Sequence, residues 1–116
     1  MSNAASQFAF QPLGPTFLIV ANVAPPSPVQ VLVDETTQGY GQYRIINNSA
    51  ETVFLGVGAT AAQATARAAT IVVGTPQNTI VLVPGAVEVL RLNNNAWFTG
   101  YAAAAADVYI TPGQGL

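Results

Sequence analysis

The punctuation of this chain constrains its fold more than any other feature. From Thr16 onward, runs of four to eight residues rich in Val, Ile, Leu, Thr and Tyr recur between Gly, Pro and Asn. The runs cover 16–23, 29–33, 42–47, 52–57, 70–73, 79–83, 87–92, 97–101 and 107–111. Many short strands with frequent turn signals specify a sandwich or barrel. The breaks suit the same reading. Pro25-Pro26-Ser27-Pro28 cannot donate ladder hydrogen bonds, Thr37-Gln38-Gly39 and Val83-Pro84-Gly85-Ala86 fit tight turns, and Asn93-Asn94-Asn95 tolerates positive φ. The expected fold is all-β, an antiparallel β-sandwich or jelly-roll-like barrel in one domain over 16–116. Residues 1–15 read as an extended N-terminal arm, set off by Gly14-Pro15 and carrying Phe8, Phe10 and Leu13 as apolar anchors. Phe8 and Phe10 alternate as in an edge strand that adds to a sheet, either a neighbour's or its own.

One segment departs from the strand pattern. Residues 59–69 hold seven Ala, with Gln63 and Arg67 one turn apart and neither Gly nor Pro, which predicts about two helical turns capped by Thr60. Side chains this small build no core but allow close approach to another backbone. Residues 102–106, all Ala, read as the loop of a final hairpin.

Charge decides which functions remain. Only 7% of the 116 residues are charged, against 51% apolar, and the net charge is −2. A water-exposed surface normally carries more dispersed charge, so much of this one is expected to be covered by protein. The runs around 17–20 and 80–83 are apolar throughout, and Val87 and Val89 face away from Leu90 and Leu92. Such strands suit burial by the core on one side and by a neighbouring subunit on the other; a central strand beneath a loop would look the same.

With no His and no Cys, a Ser-His-Asp triad, a thiol nucleophile, a zinc finger and a disulfide are all excluded. Arg44, Arg67 and Arg91 are scattered along the chain and form no basic stripe, so direct nucleic-acid binding is not expected. No apolar run approaches the ~18 residues of a membrane span, and the N-terminus lacks a signal peptide's basic start.

The motifs present are weak. Gly56-Val57-Gly58-Ala59-Thr60-Ala61 matches a dinucleotide fingerprint, but no acid lies between Glu51 and Glu88 to hold a ribose, so it reads as a flexible strand end. The acids Asp34, Glu35, Glu51, Glu88 and Asp107 read as solubility and edge charges rather than a carboxylate pair or a calcium site. Pro25-Pro26-Ser27-Pro28 reads as a spacer, and Asn47-Asn48-Ser49 is a formal glycosylation acceptor with no sign of secretion. Trp97 and Tyr101 share one strand face while Phe98 takes the other, so one face is core and the other is either packed within the domain as well or an interface anchor, the first being the simpler account. No enzyme activity, cofactor, metal or small-molecule substrate is expected.

The segments Arg44-Ile45-Ile46-Asn47-Asn48, Val53-Phe54-Leu55-Gly56-Val57-Gly58, Leu82-Val83-Pro84-Gly85-Ala86-Val87-Glu88-Val89-Leu90, Ala96-Trp97-Phe98-Thr99-Gly100 and Val108-Tyr109-Ile110-Thr111-Pro112-Gly113-Gln114-Gly115-Leu116 follow one another over 42–116. This succession resembles small β-sandwich virion proteins of tailed bacteriophages, of the capsid decoration or cementing type. The resemblance implies a structural protein made in the host cytoplasm and placed on the outer capsid surface, with the major capsid protein and copies of itself, as dimer or trimer, for partners. A tail, fibre or head-to-tail connector component is the alternative, and a carbohydrate-binding or adhesion module using Trp97 or Tyr101 a further one. Phe8, Phe10, Leu13, Trp97, Phe98 and Tyr101 are the expected interface residues.

Overall fold

The computed structural model describes residues 10–31, 41–93 and 95–114. In chain order these form β1 (Gln11–Pro12), β2 (Phe17–Ala21), β3 (Val29–Gln30), β4 (Gln42–Asn47), β5 (Val53–Gly58), α1 (Ala61–Arg67), β6 (Ile80–Leu82), β7 (Val87–Arg91), β8 (Trp97–Tyr101) and β9 (Ala106–Gln114). The first sheet runs β1-β9-β4-β7, with β2 also on β9, and the second runs β3-β8-β5-β6. All the strand pairs are antiparallel.

The pairing follows a simple rule. β2 pairs with β9, β3 with β8, β4 with β7 and β5 with β6. The chain is therefore one long hairpin whose closed end is β5-α1-β6. It rolls over so that β4 meets β9 in one sheet and β5 meets β8 in the other. This strand order is that of a jelly roll, and it leaves two edges per sheet.

Alternation places the core. Ile19, Tyr43, Ile45, Val108 and Ile110 from the first sheet and Val53, Leu55, Leu82 and Phe98 from the second are buried between the layers. Burying each such aliphatic or Phe side chain contributes about 1.5–3 kcal/mol. Tyr43 and Phe98 meet across the layers edge to face, with ring centroids 5.1 Å apart. The Tyr43 hydroxyl donates to Asn93 O (3.1 Å) and accepts from Ala96 N (3.4 Å), which ties the β7–β8 loop to the core.

The expected helix forms over Ala61–Arg67. Thr60 caps it by accepting from Gln63 N, and the Gln63 side chain reaches back to Ala59 N. Its buried face is Ala64, followed by Ala68 at the C-cap, and both lie on β5. Gly56 is not a flexible strand end. A Cβ there would lie 2.1 Å from Ala64 O and 2.6 Å from Ala68 N, and one at Gly58 would lie 2.4 Å from Gln63 Cβ. The two glycines of the Gly-x-Gly motif are the seat of the helix.

Two other expectations need correction. Residues 70–73 form no strand, because no described strand pairs with them. Thr75 N donates to Val72 O at 3.0 Å and Gly74 has φ +80°, a tight turn with Val73 wholly exposed at its tip. The Ala segment after Tyr101 closes no hairpin either, since β8 and β9 belong to different sheets. It is a crossover at the rim, where Ala102 N donates to Asn22 O. The turn at Val83-Pro84-Gly85-Ala86 forms as expected, with Ala86 N on Val83 O and Gly85 at φ +78°.

Candidate assembly surface

The runs that are apolar throughout lie on edge strands. β2 and β6 each border a sheet, so neither is a central strand beneath a loop. Their second face therefore meets solvent: Leu18 is 50% exposed, Val20 42% and Val81 43%.

On the first sheet these outward residues line up. Leu18 stands opposite Tyr109, Tyr109 opposite Ile46, and Ile46 opposite Val87, so one row crosses β2, β9, β4 and β7. Directly opposed residues stand about 4.5–5.5 Å apart, so their side chains touch along the row. Val20 extends it on one side and Val89 on the other. Val87 is 53% exposed, whereas Ile46, Val89 and Tyr109 are half-buried by their neighbours in the row.

Charges flank this stripe rather than break it. Asp107 lies opposite Val20, Arg44 lies between Thr111 and Val89, and Thr16 and Thr111 share a hydroxyl–hydroxyl bond of 2.7 Å. An apolar stripe rimmed by polar groups is the usual composition of a protein-binding face. A second apolar projection lies at the β5–β6 end, where Ile71 (45%), Val72 (57%) and Val73 (101%) surround the turn at Gly74.

The aromatic and arm residues expected at the interface are spread differently. Phe8 lies outside the described residues. Phe10 is half-buried beside Gly113, where a Cβ would come 2.6 Å from its ring, and Leu13 N donates to Pro112 O at 3.0 Å. With Gln11 and Pro12 on the end of β9, this part of the arm lies along its own sheet. Phe98 is a core residue, fully buried against Tyr43, and presents nothing to a partner. Trp97 and Tyr101 point outward from the second sheet. Tyr101 packs against Phe54 at 6.1 Å, and Trp97 stands beside Gly58 and Gln30. The structure does not bring Phe10 and Leu13 and this aromatic pair into one site. Leu18, Ile46 and Tyr109 are the residues missed, and their signal was apolar residues at outward positions of an edge and a central strand.

The other motifs resolve into structure. Asn47 is fully buried, and its amide nitrogen lies 2.8 Å from Glu51 O, 3.0 Å from Leu82 O and 3.1 Å from Val83 O. Its Oδ1 accepts from Ser49 Oγ at 2.6 Å. The formal glycosylation acceptor is thus a buried link between the β4–β5 loop and the β6–β7 turn. Pro26 O accepts from Thr99 Oγ1 at 2.6 Å, which fastens the Pro-rich spacer to β8. Among the described residues no three acids gather into a cation cage, and no described helix is long and apolar enough to cross a membrane.

No family model matches the chain, and no curated protein or solved structure matches it.

Proposed function

We propose that this chain is a structural subunit that acts by burying its outer surface against other protein, specifically a decoration or cementing protein on the outer surface of a tailed-phage capsid. The observation that carries the reading is the apolar row Leu18-Tyr109-Ile46-Val87, which spans the full width of the first sheet on its solvent face. A cement works through buried area between shell subunits and needs no catalytic group. A chain with 7% charged residues is suited to that and poorly suited to solitary life in water. Jelly rolls are frequent in capsid proteins and in lectins, which supports the reading by analogy of fold alone.

Two measurements test it. Purified particles of the phage encoding the chain should contain it at a simple fraction of the copy number of the major capsid protein, as repeated symmetric contacts require. A ratio of roughly one per hundred places it instead in the tail, fibre or connector, and its absence from particles refutes the virion reading. The second measurement is sedimentation of the recombinant protein with the major capsid protein. Leu18→Asp combined with Val87→Asp should abolish binding, while thermal unfolding stays within about 1 kcal/mol because both side chains are half-exposed or more. Undiminished binding by the double variant refutes the assignment of the face.

A further inference from the structure

The rolled hairpin leaves an opening where its two sheets part. β6 and β7 are consecutive edge strands, one on each sheet, and a cavity of about 310 Å³ lies between the start of β6 and the end of β7. Its walls are Asn78 and Ile80 on one side and Arg91, Leu92 and Asn93 on the other, and Arg67 enters from the last turn of α1. Two of the chain's three cationic side chains therefore line one cleft, in a protein whose net charge is −2. None of the described residues that line the cavity is an acid.

Two guanidiniums and no described acid make the cleft electropositive, which suits an anion. Two like charges in one partly desolvated site repel, and a chain with so few charges had many other places for them. Arg67 is held in position: one terminal nitrogen donates to Val57 O at 3.0 Å, and its own carbonyl accepts from Thr79 Oγ1 at 2.6 Å. A guanidinium has five N–H donors in a planar fork, so the bond to Val57 leaves most of them free to bind an anion. Asn78 and Asn93 offer amide donors beside it, and the half-buried Ile80 and Leu92 give the cleft an apolar floor. The volume is at the small end for organic ligands.

We infer that this cleft binds a small organic anion, with its phosphate or carboxylate group clamped between Arg67 and Arg91 and its apolar part resting on Ile80 and Leu92. Two guanidiniums suit either oxyanion, because each presents paired N–H groups at the spacing of two oxygens. The cleft adjoins the end of the first sheet's outer face, since Arg91 follows Val89 by two residues on β7, but the inference does not rest on the assembly reading.

The test is NMR titration of the isotope-labelled full chain at about physiological salt, with inorganic phosphate as one probe and citrate as the other. Saturable shifts should appear at the Arg67 and Arg91 Nε–H groups and at the Ile80 and Leu92 amides. Saturation by phosphate alone assigns the site to phosphate esters, by citrate alone to carboxylic acids, and by both in competition to the shared oxyanion. Arg91 is exposed on an edge strand, and Arg91→Gln should weaken binding roughly tenfold to a hundredfold, the worth of a lost charge-assisted pair. Arg44→Gln removes the same charge from outside the cleft and should change affinity by less than about threefold. Asn78→Asp, on an exposed loop, should abolish binding by repulsion and is a second variant independent of Arg91. Shifts that stay linear with both probes overturn the proposal. So does an equal loss in Arg44→Gln and Arg91→Gln, or full binding by Asn78→Asp.

Discussion

Replacing Gly56 by alanine tests whether the Gly-x-Gly segment is a seat for α1. A methyl group at this position would stand 2.1 Å from Ala64 O, 2.6 Å from Ala68 N and 2.9 Å from Ala68 Cβ, where ordinary contact begins at 3.4 Å. Two of the three obstacles are backbone, so no rotamer change relieves them. The helix must lift by about 1 Å, a gap that forfeits a quarter to a half of each dispersion contact along its buried face. Ala64 and Ala68 are 0% and 6% exposed, so that face is the buried part of its attachment on β5. Overpacking of this kind costs about 2–3 kcal/mol, or about 8–12 °C in Tm for a domain of this length. Gly74→Ala is the matched control. Gly74 has φ +80° but no atom within 4 Å of a built Cβ, so its cost is backbone conformation alone, about 1 kcal/mol. Urea unfolding followed by the single Trp gives both values with an unchanged m. Ala68→Gly in the Gly56→Ala background should recover only part of the loss, since the backbone contacts remain. A Gly56→Ala protein within about 0.5 kcal/mol of the parent would refute the reasoning, because it would mean that α1 does not rest on this strand.

Three further perturbations follow from the same geometry. Asn47→Ala should cost about 2–4 kcal/mol in urea unfolding, because the buried Leu82 carbonyl loses its amide donor and the partly buried Glu51 and Val83 carbonyls lose a shared one, whereas exposed Asn48→Ala should stay within about 0.5 kcal/mol; equal losses contradict the buried link. Burial holds the Tyr43 phenol above its ordinary 10.0, against the opposing pull of hydrogen bonds to Ala96 and Asn95. Its folded value exceeds its unfolded one, so its share of stability is complete below pH 10 and is lost as pH rises through the folded value. Tyr43→Phe should therefore lose about 1 kcal/mol at neutral pH and show a flatter decline above pH 10 than the parent; parallel alkaline limbs in pH-dependent unfolding argue against it. Removing residues 1–13 deletes the β1 pairing to Gln114 and Gly113 but none of the core side chains among the described residues, so the truncated chain should unfold in one cooperative step while binding the proposed shell partner less well. Non-cooperative melting shows instead that the arm is part of the fold.

What could be read from the chain order was whatever local chemistry decides. β4 and β8 begin and end where their β-branched and aromatic runs do, and Thr60 caps α1 because its hydroxyl can reach Gln63 N. Residues 70–73 carry the same β-branched signal yet form a turn, because a strand needs a partner and no described strand pairs with them. The Ala crossover was misread for a related reason: adjacency in sequence suggested a hairpin, but the jelly roll sends β9 to the opposite sheet. The candidate site was legible only in composition. Aromatic residues drew attention because they dominate interface energetics, yet Phe98 is core and the exposed row is built mainly of Leu, Ile and Val on four strands distant in sequence. The cleft was illegible altogether, since Arg67 and Arg91 share no motif and meet only when β6 and β7 border the same opening.

The topology also supports the proposal that so uncharged a chain associates. A jelly roll rolled from one hairpin has four edge strands, and a free edge is a template for unwanted pairing unless charge, proline or a cover blunts it. Here β7 carries Glu88 and Arg91, and Pro84 interrupts the chain just before it. β2 and β6 carry no charge at all, and each adds exposed aliphatic side chains to its unpaired backbone. Exposed Leu18 and Val20 on an uncharged edge leave an isolated subunit open to unwanted edge pairing. The same residues lie in register with Tyr109, Ile46 and Val87, so a partner covering the face shields the edge in the same act. On the first sheet the uncharged edge of β2 and the continuous outer row are thus one property, and the proposed partner would cover both, while β6 borders the second sheet and needs a cover of its own.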